Sequence, residues 1–258
     1  AGDEIEFLNG ILEAAGPHIP VFGAGAGSDF ENYLYKNTGK NYQFANGKVY
    51  TNSGIVAFVV SNLYFENNVK HGYLTTNDFA AVTKLNNTGY EILEINGKSA
   101  IEEYCRLIHV KSPVYLKDPF KYSLMRPFGI TALDGSTYIK EALPNPDGKT
   151  FHSTLKLHKN TILNILKFDQ KSHKKTMGEI LQESKKNSIA VALFCSCSTR
   201  RLLSEKTELQ AIEVLKKSFK IPFFGMYNFS EIGSTKTNSA QVHGETVTSL
   251  IIYDQLLV

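Results

Sequence analysis

At 258 residues, with 42% hydrophobic and 21% charged residues, the chain has a globular composition and room for one large domain or two small ones. A net charge of +3 is too small to argue for nucleic acid, and no apolar run approaches the roughly 18 residues of a membrane span. Three cysteines, an odd count with no C-x-x-C pair, fit a reducing compartment, so a cytoplasmic protein is expected.

The first segment, "DEIEFLNGILEAAG", sets Ile5, Leu8, Leu12 and Ala15 on one helical face, and Gly16-Pro17 closes it. "IPVFG" (19–23) reads as a short buried strand. The glycines at 23, 25 and 27 are spaced G-x-G-x-G rather than G-x-G-x-x-G. An aromatic, turn-rich stretch follows them instead of a helix, so no nucleotide loop is expected. "NYQFANGKVYTNSGIVAFVV" (41–60) reads as two strands joined by an Asn46-Gly47 type I′ turn, and 61–68 as a polar boundary. Residues 91–109 give a strand, an Asn96-Gly97 turn and a helix opened by a Ser99–Glu102 capping box. Turns at Asp134-Gly135 and Asp147-Gly148 mark 128–157 as an antiparallel meander. "TILNILKFD" (161–169) is a further strand. Residues 171–186 form a helix whose Lys171, Lys174, Lys175, Lys185 and Lys186 make a solvated face. "SIAVALF" (188–194) is a buried strand, "CSCSTRR" (195–201) a loop, and 204–218 a helix carrying Leu209, Ile212 and Leu215.

The chain then repeats itself. Ile221-Pro222-Phe223-Phe224-Gly225 matches Ile19-Pro20-Val21-Phe22-Gly23 at an offset of 202, and Ser230-Glu231 falls on Ser28-Asp29. After a loop five residues shorter, His243-Gly244 falls on Asn46-Gly47 and Thr248 on Thr51. A duplicated unit is expected, with the two I-P-x-F-G strands in equivalent positions. In the second copy a strand precedes the helix. Its counterpart would fall before residue 1, so further chain upstream is expected. The fold class is mixed α/β (α+β): duplicated strand–helix–strand–hairpin units at the two ends, flanking a largely antiparallel meander.

"FCSCSTRRLL", followed by "FFGMYNFSEIGSTKTNSAQVHGETVT", resembles the end of the FIST C-terminal domain. "HGYLTTNDFAAVTKLNNTGYEILEINGKSAIEEY" is similar to its opening and "RPFGI" to its central proline motif. "IPVFGAGAGSDF" with "QFANGKVYTNSGIVAFVV" resembles the end of the FIST N-terminal domain. The resemblance implies 1–66 as the C-terminal part of a FIST N-type domain and 67–258 as a FIST C-type domain. It implies a sensory domain of bacterial signal transduction that binds a small ligand, an amino acid among the candidates. Its partners would be output modules such as a kinase, a cyclic-nucleotide enzyme or a chemotaxis receptor. The alternative it implies is a haem-binding nitric oxide sensor.

The candidate site residues rest on their own chemistry. Cys195 and Cys197 flank Ser196 at the carboxyl end of a buried strand, where ligands of open α/β sheets sit. They read either as small buried thiols or as part of a pocket. Tetrahedral zinc would need four ligands, and only distant histidines are left to complete the set, so no metal is expected. Arg200 and Arg201 read as surface arginines or, beside a helix start, as partners for a carboxylate or phosphate. Glu231, matched by Asp29, either caps a loop by accepting backbone N–H bonds or holds a ligand ammonium. Tyr227 and Phe229 can wall a pocket. His243, in an expected x-Gly turn, and His71, which has no repeat partner, are the candidate haem ligands. An enzyme using Cys195 or Cys197 as nucleophile ranks third, since no general base is identifiable beside either.

Overall fold

The computed structural model describes residues 3–28, 40–132, 135–153, 156–184, 189–234 and 239–256. The chain opens with helix α1 (Glu4–Ala15) and strands β1 (Phe22–Gly25), β2 (Gln43–Ala45), β3 (Lys48–Tyr50) and β4 (Leu63–Lys70). Strands β5 (Tyr73–Leu85), β6 (Glu91–Ile95) and β7 (Lys98–Ser99) lead to helices α2 (Ala100–Leu107), α3 (Ser112–Tyr115) and α4 (Pro119–Met125). Next come β8 (Phe128–Thr131), β9 (Thr137–Lys140), β10 (Ala142–Pro144), β11 (Phe151–Ser153), β12 (Ile162–Phe168) and helix α5 (Gln170–Glu183). The last stretch holds β13 (Ile189–Cys197), α6 (Ser198–Leu203), α7 (Glu205–Ser218), β14 (Phe223–Asn228), β15 (Ser230–Gly233), β16 (Gln241–His243) and β17 (Val247–Leu256). No helix among the described residues is long and apolar enough to cross a membrane. The mixed α/β class holds.

Two compact units result: Ala1–His71 with Lys175–Leu202 and Lys206–Val258, and Gly72–Lys174 with Leu203–Glu205. The second is the antiparallel meander. Its eight strands run in the order β10-β11-β6-β5-β12-β8-β9, with β7 attached to β6. The two ends of that order, β9 and β10, are consecutive in the chain and joined by Glu141 alone, so the sheet curls into a near-barrel. Val82, Ile92, Ile95, Leu163 and Ile165 of its strands share one buried cluster, which Ile101 and Tyr104 of α2 join. Tyr104 packs edge-on against Tyr115 and Phe151, with ring centroids 5.6 and 5.1 Å away. The Asn96-Gly97 turn forms with φ of 52° and 75°, both left-handed as a type I′ turn demands. The expected capping box does not: Ser99 is engaged in the β6–β7 ladder and makes no side-chain cap bond. Asp134, Lys185 and Lys186 lie outside the described residues.

In the first unit, β14-β13-β17-β4 form a four-stranded sheet, parallel between β13 and β14 and antiparallel elsewhere. One face is apolar. Met177, Ile180 and Leu181 of α5 and Ala211 and Leu215 of α7 cover Ala192, Phe194, Val247, Ile251 and Tyr253 there. The other face receives a second sheet, β1-β15-β16. The approach is close: a Cβ on Gly233 would stand 2.9 Å from both Thr248 Cγ2 and Val69 Cγ2, so only glycine fits. Asn67 Nδ2 stitches the layers by donating to the Val21 carbonyl and to Ser234 Oγ, each at 3.0 Å. Helix α1 covers the far side of the small sheet, with Leu8 against Ile232 and Ala240. Gly16 (φ 97°) ends it by returning its N–H to the Leu12 carbonyl.

Three expectations are corrected. The I-P-x-F-G segments do not occupy equivalent positions: β1 pairs antiparallel with β15, whereas β14 runs parallel to β13 in the other sheet. Asn46-Gly47 makes its hairpin (φ 52° and 71°), but His243-Gly244 does not. There β16 pairs with β15 while β17 pairs with β13 and β4, so residues 244–246 carry the chain from one sheet to the other. Glu245 takes the positive φ of 55°, and the Thr246 carbonyl accepts the Cys197 N–H, which draws the chain into the larger sheet. Finally, the apolar run Ile55–Val60 forms no strand. It is exposed, up to 98% at Val60, because no sheet edge among the described residues adjoins it.

Candidate functional site

The segment read as a loop, 195–201, is strand and helix. Cys195, Ser196 and Cys197 complete β13, laddered to Met226, Tyr227 and Asn228 of β14 on one side. On the other side Cys195 faces Thr248 and Ser196 faces Val247. Residues 198–203 then turn directly into α6. Side chains alternate across the sheet. Cys195 and Cys197 therefore face the small sheet, and Ser196 faces the helices.

On the helix face a polar cluster sits within the apolar core. Arg200 and Glu208 are both fully buried, with Arg200 Nη2 3.3 Å from Glu208 Oε2. Ser196 Oγ donates to Glu208 Oε1 at 2.9 Å. Arg200 is thus not a surface arginine: it ties the start of α6 to α7. Its neighbour Arg201 does reach the surface region of β14, with its guanidinium 5.7 Å from the centre of the Tyr227 ring. Tyr227 is partly exposed on the sheet edge.

The opposite face is a buried polar layer between the two sheets. Glu231 lies at its centre and is fully buried. Its Oε1 accepts from Asn228 Nδ2 at 2.7 Å, and its Oε2 accepts from the Thr246 N–H at 3.2 Å and the Thr246 hydroxyl at 2.9 Å. That includes the backbone capping bond expected of an acid in this segment. Around it lie Cys195, Cys197, Thr248 and His243, all buried. Burial, and then the charge of Glu231, push the Cys195 thiol up to about 12. Cys197 Sγ shares a hydrogen bond with Thr199 Oγ1 at 2.9 Å. The Cys195 thiol is therefore not poised as a thiolate nucleophile. His243 Nε2 is 3.3 Å from the Gly233 carbonyl oxygen, within the β15–β16 pair rather than in a turn. His71 follows β4, half-buried. Asp29 lies outside the described residues. Among those described, no group of three or more His, Cys, Asp or Glu could hold a metal ion.

Of the residues singled out from sequence, Cys195, Cys197, Glu231 and His243 meet in this layer. Arg200 lies on the other side of the same sheet and Tyr227 on its edge. Sequence reasoning missed Thr246, Thr248, Asn228 and Glu208. Only their positions in the sheet registers and on α7 bring them here, although Thr248 did align with Thr51 in the repeat comparison.

A buried polar layer thus lies at the carboxyl end of the parallel β13–β14 pair. The family model of the FIST N domain matches residues 1–98 and that of the FIST C domain matches 100–234, so the chain belongs to the FIST family. FIST domains are sensor domains of signal transduction. No curated protein and no solved structure matches the chain.

Proposed function

We propose that this chain senses a small polar molecule, an amino acid, at the carboxyl ends of β13 and β14, and passes its occupancy to an output partner such as a kinase, a cyclic-nucleotide enzyme or a chemotaxis receptor. The observation that supports this reading is that both signs of charge occur at one strand end, on opposite faces of the sheet: the Arg201 guanidinium over Tyr227 on one, and Glu231, buried near Cys195, on the other. Arg200, paired with Glu208, acts by positioning α6. In this reading the site binds, and the Cys195 thiol, pushed up to about 12 by burial, does not serve as a nucleophile.

The test is a thermal-shift screen of the twenty amino acids on the wild type and on Arg201→Ala and Tyr227→Ala. A ligand at about one hundred times its Kd stabilises by roughly 2.7 kcal/mol, which raises Tm by several degrees. The expected result is one chemical class of amino acid that shifts the wild type and shifts both variants less. An amino acid that binds all three proteins equally would move the site elsewhere. Haem is the alternative cofactor, with His71 and His243 as its candidate ligands, and a Soret band in protein purified with haem supplied would replace the amino-acid reading.

A further inference from the structure

The meander unit carries a cavity of its own. Residues 83–89, the end of β5 and its connection to β6, and residues 156–159, the lead into β12, line an open hollow of about 350 Å³. Every lining residue belongs to this unit, whereas Arg201, Tyr227 and Glu231 belong to the other. Backbone bonds fix the two walls. The Leu157 N–H donates to the Gly89 carbonyl at 2.9 Å, and the Asn160 N–H to the Val82 carbonyl at 2.8 Å. One side chain locks the turn: Asn86 Oδ1 accepts from the Thr88 hydroxyl at 2.9 Å, the Gly89 N–H at 3.0 Å and the Glu91 N–H at 3.3 Å.

The lining is of one sign. Lys84, Lys156 and Lys159 bring three cations, and no Asp or Glu stands among the described lining residues. The whole chain carries only +3, so three cations about one hollow are a local excess. Lys84 has Glu94 at 3.4 Å, a contact too exposed to hold it. Lys156 and Lys159 make no ion pair among the described residues. Lys156 is also placed: a Cβ at Gly89 would stand 3.1 Å from its Cγ and 3.5 Å from its Cε, so its stem lies along the turn. Asn87 makes no hydrogen bond among the described residues, which leaves its backbone N–H and side-chain amide as neutral donors.

Three point cations beside neutral N–H donors, with no carboxylate, suit an oxyanion of more than one charge. A phosphate group is such an anion and a carboxylate is not. No aromatic ring lines the hollow among the described residues, so a nucleobase has nothing to stack on. We propose that this cavity binds a phosphate group, with Lys156 and Lys159 as its main counter-charges and the 86–89 turn supplying N–H donors. The group belongs either to inorganic phosphate or to a small aliphatic phosphate ester. The proposal stands independently of the amino-acid reading.

Protein labelled with nitrogen-15 is titrated at neutral pH and constant ionic strength with inorganic phosphate, glycerol phosphate and adenosine monophosphate, and with sodium acetate as the control. Saturable shifts of the Asn87, Thr88 and Gly89 amides are expected with inorganic phosphate and not with acetate. Lys156→Ala with Lys159→Ala should keep the wild-type spectrum elsewhere and bind phosphate about tenfold more weakly. Lys171→Ala with Lys175→Ala removes the same charge from α5 and should bind as the wild type does. Tighter binding of glycerol phosphate than of inorganic phosphate would support the cavity with an ester as the source, and equal affinities would support it with the free anion. Absence of saturation, equal shifts with acetate, undiminished binding by the first double variant or an equal loss in the second would each overturn the proposal. So would adenosine monophosphate binding more tightly than glycerol phosphate, since the base would then have a partner that this lining lacks.

Discussion

Arg200→Ala removes the largest fully buried side chain among those described and breaks its ion pair with Glu208. Glu208 is equally buried and retains the bond from the Ser196 hydroxyl. Breaking a buried ion pair from one side costs about 3–5 kcal/mol, because the remaining charge stays out of water. Native stability is commonly about 5–15 kcal/mol, so the variant should lose about a fifth or more of it and about 10 °C in Tm. Arg200→Met with Glu208→Gln removes both charges and leaves a Gln oxygen to accept from Ser196. That double variant should recover most of the loss, giving a coupling of at least about 2 kcal/mol. The assay is urea denaturation followed by far-ultraviolet circular dichroism on the wild type, the three single substitutions and the double. A loss under about 1 kcal/mol for Arg200→Ala, or a double variant as unstable as the sum of its singles, would refute the buried pair. Any binding defect in Arg200→Ala must be read after this correction, since the guanidinium supports the fold before it can support a ligand.

Three further outcomes are expected. Glu103 is held from its ordinary 4.5 down to about 2, chiefly by the Arg106 guanidinium at 2.7 and 2.8 Å against the cost of burial, with Asn96 Nδ2 adding a bond at 2.9 Å. Its stabilisation is complete above about pH 4.5 and is lost as pH falls towards 2, so Glu103→Gln should cost about 1–2 kcal/mol at pH 7, discounted for the exposed Arg106, and almost nothing at pH 2. A constant difference across that range would refute the assignment. Native protein at pH 8 should resist iodoacetamide at Cys195, whose thiol titrates near 12, and take up label once unfolded, as peptide mass spectrometry will read; rapid native labelling would contradict its burial. Gly233→Ala should lose about 1–3 kcal/mol in denaturant titrations, since the added Cβ meets Thr248 and Val69 at 2.9 Å, and a neutral effect would mean the two sheets separate easily.

Local chemistry was legible from the residues alone. Asn46-Gly47 and Asn96-Gly97 become left-handed turns, and Gly16 ends α1, because each outcome depends on the φ preference of one or two adjacent residues. The antiparallel meander followed from the same turn chemistry, as at Gly148 (φ 65°). What lies beside a strand is a different matter. "IPVFG" and "IPFFG" have the same local preferences, yet one pairs with β15 and the other with β13, a choice made by partners far away in the chain. "GIVAFVV" has the composition of a buried strand and stays exposed, since composition cannot supply a neighbouring edge. The site shows the same division. Cysteine, arginine and glutamate marked the region in the sequence, but whether Arg200 met water or Glu208 depended on how α7 packs over β13. Thr248 and Asn228 carry no signal of their own. They reach one face of the sheet only because β13 is laddered on its two sides to residues about fifty and thirty positions away. Backbone pairing across such separations is decided by the free energy of the whole sheet, which no short window of sequence contains.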